Sequence, residues 1–138
     1  MNETSEKRKV RVLVVDDERH IRNLIRVIVS SLGAEVVAEA ADGAQAVELY
    51  KQLSPDLVMM DINMPKMDGI SALKEIIAVN PRALVIMMTS LNAIDVVKDC
   101  IDNGARNYIL KNVPADELST MIGETWGEYL ADIRAAES

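Results

Sequence analysis

The sequence predicts a single α/β domain, an open, doubly wound sheet of five parallel strands with helices on both faces. Three observations predict it. Five short apolar runs alternate with five amphipathic stretches along 138 residues, a (βα)₅ order that calls for parallel strands joined by helical crossovers. Three of the runs, Val12–Val15, Leu57–Met60 and Leu84–Met88, are apolar without alternation, as strands covered on both sides are. Between the runs the apolar period changes to that of a helix.

Residues 1–9 are polar and include the basic trio Lys7-Arg8-Lys9; they are expected to form a solvated arm. The first strand is Val10–Val15. A helical stripe follows at Ile21, Leu24, Ile25, Ile28 and Leu32, with Gly33 as the stop. Glu35–Ala38 is the second strand, and Gly43–Leu53, with Val47 and Tyr50, is the weakest of the helical patterns. Asp56–Met60 is the third strand, and the helix carrying Ile70, Leu73, Ile76 and Ile77 ends at Asn80-Pro81. Ala83–Met88 is the fourth. Ile94, Val97 and Ile101 mark the next helix, closed by Asn103-Gly104, and Asn107–Leu110 the fifth strand. Pro114 opens the last helix, whose stripe is Leu118, Met121, Ile122, Thr125 and Tyr129. The domain is placed at residues 10–133, with 134–138 as a tail.

Composition narrows the function. With 15 basic and 22 acidic residues the net charge is -7, which argues against nucleic acid or an anionic membrane as the main partner. Cys100 is the only cysteine and His20 the only histidine, so neither an intrachain disulfide nor a soft-metal cluster is available. Cys100 reads as a packed thiol, His20 as a structural or solvent-exposed side chain, and Met59, Met60, Met87 and Met88 as core. Trp126 is expected to be half exposed. No run approaches a membrane span or a signal region, and a cytoplasmic protein without membrane insertion is expected.

In an open α/β sheet the ligand site lies beyond the carboxyl ends of the strands. There the chain places Asp16-Asp17, Asp61, Thr89 and Lys111. Clustered carboxylates repel unless a cation neutralises them, and an all-oxygen set suits Mg²⁺, or Mn²⁺. A carboxylate nucleophile, an ammonium and a hydroxyl supply the parts of phosphoryl transfer.

Leu13-Val14-Val15-Asp16-Asp17, then Met60 to Gly69 with its Asn63-Met64-Pro65-Lys66-Met67-Asp68-Gly69 tail, then Thr89-Ser90, then Lys111 resemble the response-regulator receiver family of two-component signalling, which includes chemotaxis regulators. The resemblance runs from about Val10 to Ile133. It implies a flavodoxin-like fold of strand order 2-1-3-4-5. It implies that Asp61 accepts a phosphoryl group from a histidine kinase, and that the domain catalyses its own phosphorylation and dephosphorylation. Asp17, Asp61 and the Asn63 main-chain carbonyl would bind Mg²⁺, with Asp16 acting mostly through water. Lys111 would pair with the phosphoryl group, and Thr89 with Tyr108 would form the switch. A downstream protein target on the face of the fourth helix, fifth strand and fifth helix is expected, and an auxiliary phosphatase is a further partner of this kind of protein.

Two positions depart from the family pattern. Lys111 is followed by Asn112 rather than proline, and the need to aim Lys111 inward favours a cis bond there. Leu91 cannot orient water, which predicts slow autodephosphorylation beside Asn63. A stand-alone regulator is favoured because the chain stops soon after the last helix, the alternative being the receiver half of a longer DNA-binding regulator. A phosphohydrolase of similar fold would want Asp-x-Asp after the first strand, and a flavin-binding protein a phosphate-cradling loop; neither is present.

Overall fold

The structure, a computed structural model, describes residues 9–64, 66–90 and 94–137. The chain runs β1 (Val10–Val15), α1 (Arg19–Ser31), β2 (Ala34–Ala40), α2 (Gly43–Leu53), β3 (Leu57–Asp61), α3 (Gly69–Val79), β4 (Val85–Thr89), α4 (Ile94–Asp102), β5 (Asn107–Leu110) and α5 (Ala115–Glu137). The sheet is parallel, in the order β2-β1-β3-β4-β5. This is the flavodoxin-like order.

The unbroken apolar strands feed two cores. Leu13, Val15, Val58, Met60, Val85 and Met87 point to one face, against Ala46, Val47 and Tyr50 of α2, Leu73 and Ile76 of α3, and Cys100 of α4. Val12, Val14, Leu57, Met59, Ile86, Met88 and Ile109 point to the other, against Ile25, Ile28 and Val29 of α1 and Leu118 and Ile122 of α5. Alternate residues of one strand therefore enter different layers, which is why no polar position interrupts them. All four core methionines are fully buried.

Several expected boundaries and faces shift. β2 is longer than Glu35–Ala38, reaching Ala34 and Ala40, and its register with β1 slips between Val12 and Leu13, so one residue bulges. As an edge strand it tolerates Glu35 and Glu39, and Glu39 finds cations on α1. In α1 the buried stripe closes on Val29, while Leu32 at the C-cap is 46% exposed. In α4 the inward residues are Val96 and Cys100, and Ile101 is exposed. Among the described residues there is no cis peptide bond, so Lys111-Asn112 is trans. The lysine reaches the site without the ~2.5–4 kcal/mol of a non-proline cis bond. α5 continues past Ile133 to Glu137, and no helix of the described residues is long and apolar enough to cross a membrane.

Candidate phosphoacceptor site

The carboxyl ends of β1, β3, β4 and β5 converge, and each brings a polar residue out of an apolar strand. Asp16 follows β1 directly and is fully buried, Asp61 ends β3 at 3% exposure, and Thr89 ends β4 at 1%. Lys111 follows β5 and joins them. Its Nζ lies 2.9 Å from Asp16 Oδ2, 3.3 Å from Asp61 Oδ1 and 3.4 Å from Glu18 Oε1. Its own backbone N–H donates to the Thr89 carbonyl at 2.9 Å, so the ammonium and the hydroxyl-bearing residue share a main-chain link.

The acidic loop is held from three sides. The Asp16 N–H donates to the Ala40 carbonyl at 3.1 Å, and the Glu18 N–H donates to Asp16 Oδ1 at 2.9 Å. Arg22, one turn into α1, donates to the Asp16 carbonyl at 2.8 Å while its Nε pairs with Glu39 at 2.9 Å. Arg26 also pairs with Glu39. Together these arginines hold the Glu39 carboxyl below the ordinary carboxylate range, the Arg26 hydrogen bond being the largest influence.

Behind Asp61 the chain turns tightly into α3. The Gly69 N–H donates to the Ile62 carbonyl at 2.8 Å, and a Cβ on Gly69 would stand 2.0 Å from the Asp61 carbonyl oxygen. Only glycine lets the helix start this close to Asp61. Asp68 caps the helix by accepting from the Ser71 N–H at 2.8 Å. Met67, just before that cap, is also tied to α2, where the Gly43 N–H donates to the Met67 carbonyl at 2.9 Å.

Charge defines what the site can do. Burial, then the Asp16 charge, push the Asp61 carboxyl up to about 6, against the opposing pull of Lys111. Burial alone would lower Lys111, but the hydrogen bond to Asp16 and the charge of Asp61 outweigh it and hold the ammonium above its ordinary value. Asp61 is therefore a carboxylate at neutral pH, sheltered from water and short of positive charge. Carboxylate oxygens of Asp16, Asp17 and Glu18 lie within 4.8 Å of one another. This set of hard oxygen donors beside an under-neutralised carboxylate fits a Mg²⁺-sized cation.

Asp16, Asp61, Thr89 and Lys111 are thus brought together as expected. Asp17 is exposed at the mouth and Asn63 is exposed on the loop after β3; Tyr108 is half-buried on β5, paired in register with Met87. Leu91 lies outside the described residues. His20 is exposed, 4.0 Å from Glu18, and Cys100 is buried. Trp126 is half-buried against the Tyr129 ring, with centroids 5.6 Å apart. Reading the sequence missed Glu18, Arg22, Glu39 and the packing role of Gly69. The run Asp16-Asp17-Glu18 was the only local signal for the first.

A strand-end carboxylate, an acidic pair and a lysine on a 2-1-3-4-5 sheet define the receiver class, and the chain belongs to the response regulator receiver domain family, which it matches over residues 12–123. It is CheY-like within that family. It is 49% identical over 115 residues to the chemotaxis protein CheY of Bacillus subtilis, covering 83% of this chain and 96% of that protein. The structure superposes with TM-score 0.81 on CheY in a CheX-CheY-BeF₃-Mg²⁺ complex from Borrelia burgdorferi, at 35% identity and covering 85% of this chain and 89% of that one. It superposes equally, with TM-score 0.81, on the response regulator domain of Thermotoga maritima CheB, at 34% identity over 90% of this chain and 98% of that one. Receiver domains are signalling modules of two-component systems.

Proposed function

We propose that Asp61 accepts a phosphoryl group from the phosphohistidine of a histidine kinase, in a Mg²⁺-dependent reaction that switches the α4-β5-α5 face. The observation that carries this is the Asp61 carboxylate, 3% exposed with its Oδ1 3.3 Å from Lys111 Nζ, at the one place where four strand ends meet.

In this reading an Asp61 oxygen attacks phosphorus, and the P–N bond of the phosphohistidine breaks with its electron pair returning to the imidazole. The product is an acyl phosphate on Asp61. Asp17, Asp61 and the Asn63 carbonyl would hold Mg²⁺, with Asp16 acting through water. When bound, the cation offsets charge on the phosphoryl oxygens. Lys111 neutralises the same charge from the opposite strand, already oriented by Asp16. Burial of Asp61 excludes the bulk water that would solvate the nucleophile.

Phosphorylation adds about two negative charges that require new donors. In this reading the Thr89 hydroxyl, carried at the end of β4, becomes one. Because the Thr89 carbonyl is bonded to the Lys111 N–H, movement at either strand tip is felt by β5, on which Tyr108 sits beside α4 and α5. That couples the acceptor to an output face. The CheX-bound relative from Borrelia burgdorferi supports a partner that acts on the phosphorylated form, an auxiliary phosphatase here. The B. subtilis chemotaxis relative supports a protein target rather than a DNA site.

Incubation with acetyl phosphate and Mg²⁺, followed by intact mass, tests the reading. An adduct of about 80 Da, absent without Mg²⁺ and absent in Asp61→Asn, is the expected result. Steady phosphate release with no adduct would overturn it.

A further inference from the structure

We propose that Glu18 is a positioning residue that draws Lys111 away from Asp61 and so restrains phosphoryl acceptance; this rests on the phosphoacceptor reading above. The Lys111 ammonium has three donors and, in this structure, three carboxylate partners: Asp16 at 2.9 Å, Asp61 at 3.3 Å and Glu18 at 3.4 Å. The three are not equivalent. Asp16 is fully buried and itself fixed by hydrogen bonds, so it anchors the ammonium. Asp61 is the group that must receive positive charge when a phosphoryl group arrives. Glu18 is about half exposed, with a side-chain exposure of 49%, and reaches Lys111 from the β1–α1 loop across the mouth of the site.

In the metal-free protein the Glu18 carboxylate is not tied to the helix it precedes, and its other charged contact, with the exposed His20, is long at 4.0 Å. Glu18 occupies the N-cap of α1, yet its side chain makes no capping hydrogen bond. Its backbone N–H serves Asp16, a bond that does not depend on the side chain. The carboxylate is therefore available to share Lys111, the cation that pairs with Asp61 among the described residues. Since Asp16 alone suffices to orient the lysine, the Glu18 contact adds competition rather than alignment. A phosphoryl group on Asp61 must win the ammonium from it.

Two substitutions separate reach from charge. Glu18→Gln removes both the charge and the ion pair. Glu18→Asp keeps the charge but shortens the arm by about 1.5 Å, taking it out of range of Lys111, and aspartate is a favourable N-cap. Competition for Lys111 predicts that both variants form the Asp61 adduct with acetyl phosphate three- to tenfold faster than the unaltered protein at saturating Mg²⁺. Both should also bind beryllofluoride with Mg²⁺ more tightly by a similar factor. In metal-free protein, the Lys111 ammonium signal in ¹⁵N–¹H spectra should broaden through faster exchange with water in both variants.

Adduct rates and ammonium exchange unchanged in both variants would overturn the proposal. A change in Glu18→Gln with Glu18→Asp behaving as the unaltered protein would also overturn it, because charge at the mouth would then account for everything. Slower adduct formation in both would reverse its sign and reject it. Failure of the unaltered protein to form any adduct strikes at the phosphoacceptor reading instead, and the metal-free ammonium spectra still report on the Glu18–Lys111 pair.

Discussion

Replacing Asp61 by asparagine should stabilise the metal-free protein, and by an amount that grows with pH. The amide nearly matches the carboxyl in shape, so packing against Lys111 and α3 is retained. The folded carboxyl titrates at about 6, against an ordinary value of 3.8. Between those values the folded chain holds a proton that the unfolded chain has released. Stability of the unaltered protein therefore falls as pH rises through that window, and the full cost is present above about pH 6. A shift of roughly two pK units corresponds to about 3 kcal/mol, and for a chain of this length to about 10 °C in Tm. Urea unfolding in EDTA at pH 4 and pH 8 measures it. The variant should match the unaltered protein near pH 4 and exceed it by about 2–3 kcal/mol at pH 8. Mg²⁺ at a hundred times its Kd should return about 2.7 kcal/mol to the unaltered protein, with a smaller gain in the variant. A difference between the two proteins that is the same at both pH values would refute the electrostatic reasoning, as would an asparagine variant that is less stable at pH 8.

Removing the opposite partner should act the other way. Lys111→Ala leaves the fully buried Asp16 without its cation, and a loss of about 3–5 kcal/mol in metal-free unfolding is expected, partly recovered by Mg²⁺. Gly69→Ala drives a Cβ to within 2.0 Å of the Asp61 carbonyl; a loss of about 3 kcal/mol or more and displaced Asp61 and Ile62 amide resonances should follow. Arg22→Ala frees the Asp16 carbonyl and leaves Glu39 with Arg26 as its partner, costing about 1.5–3 kcal/mol in urea unfolding at pH 7. Because the Glu39 carboxyl is held below its ordinary range, the part of that difference due to Glu39 is present at neutral pH and disappears as pH falls through its lowered value. Mg²⁺ titration of the same variant should show weaker binding, since the loop carrying Asp16 and Asp17 loses a tether.

The architecture was legible because burial on both faces leaves a simple trace. Leu13-Val14-Val15 and Leu84–Met88 can be read as central strands without knowing what covers them. The site was legible for a related reason: Asp16, Asp61, Thr89 and Lys111 each interrupt an apolar run at the end of a strand, and an open parallel sheet gathers such ends at one edge. What escaped depends on contacts between elements rather than on period. The outward turn of Ile101 and inward turn of Val96 and Cys100 are set by how α4 docks, and both faces are apolar enough to satisfy a helical stripe. β2 runs past the apolar stretch that marks it because Glu39, a charge within the strand, is paired by Arg22 and Arg26 on the neighbouring helix. Glu18 reaches Lys111 over 93 positions of sequence, and no local pattern records that. The cis bond expected at Lys111-Asn112 followed from the need to aim the lysine, and the trans chain meets that need.

The bond between Lys111 and Asp16 joins residues 95 positions apart, the tips of an edge strand and of the strand three places in from it. It can close only after β3 and β4 have been laid between them in register. A chain stalled with β5 unpaired would carry every side chain of the site and still lack the cation that steadies Asp61. If Asp61 accepts a phosphoryl group as proposed, competence to do so is a certificate of finished folding: incomplete molecules would be silent rather than misleading, and a two-component pathway that reads only the modified form would be shielded from them without any separate quality check.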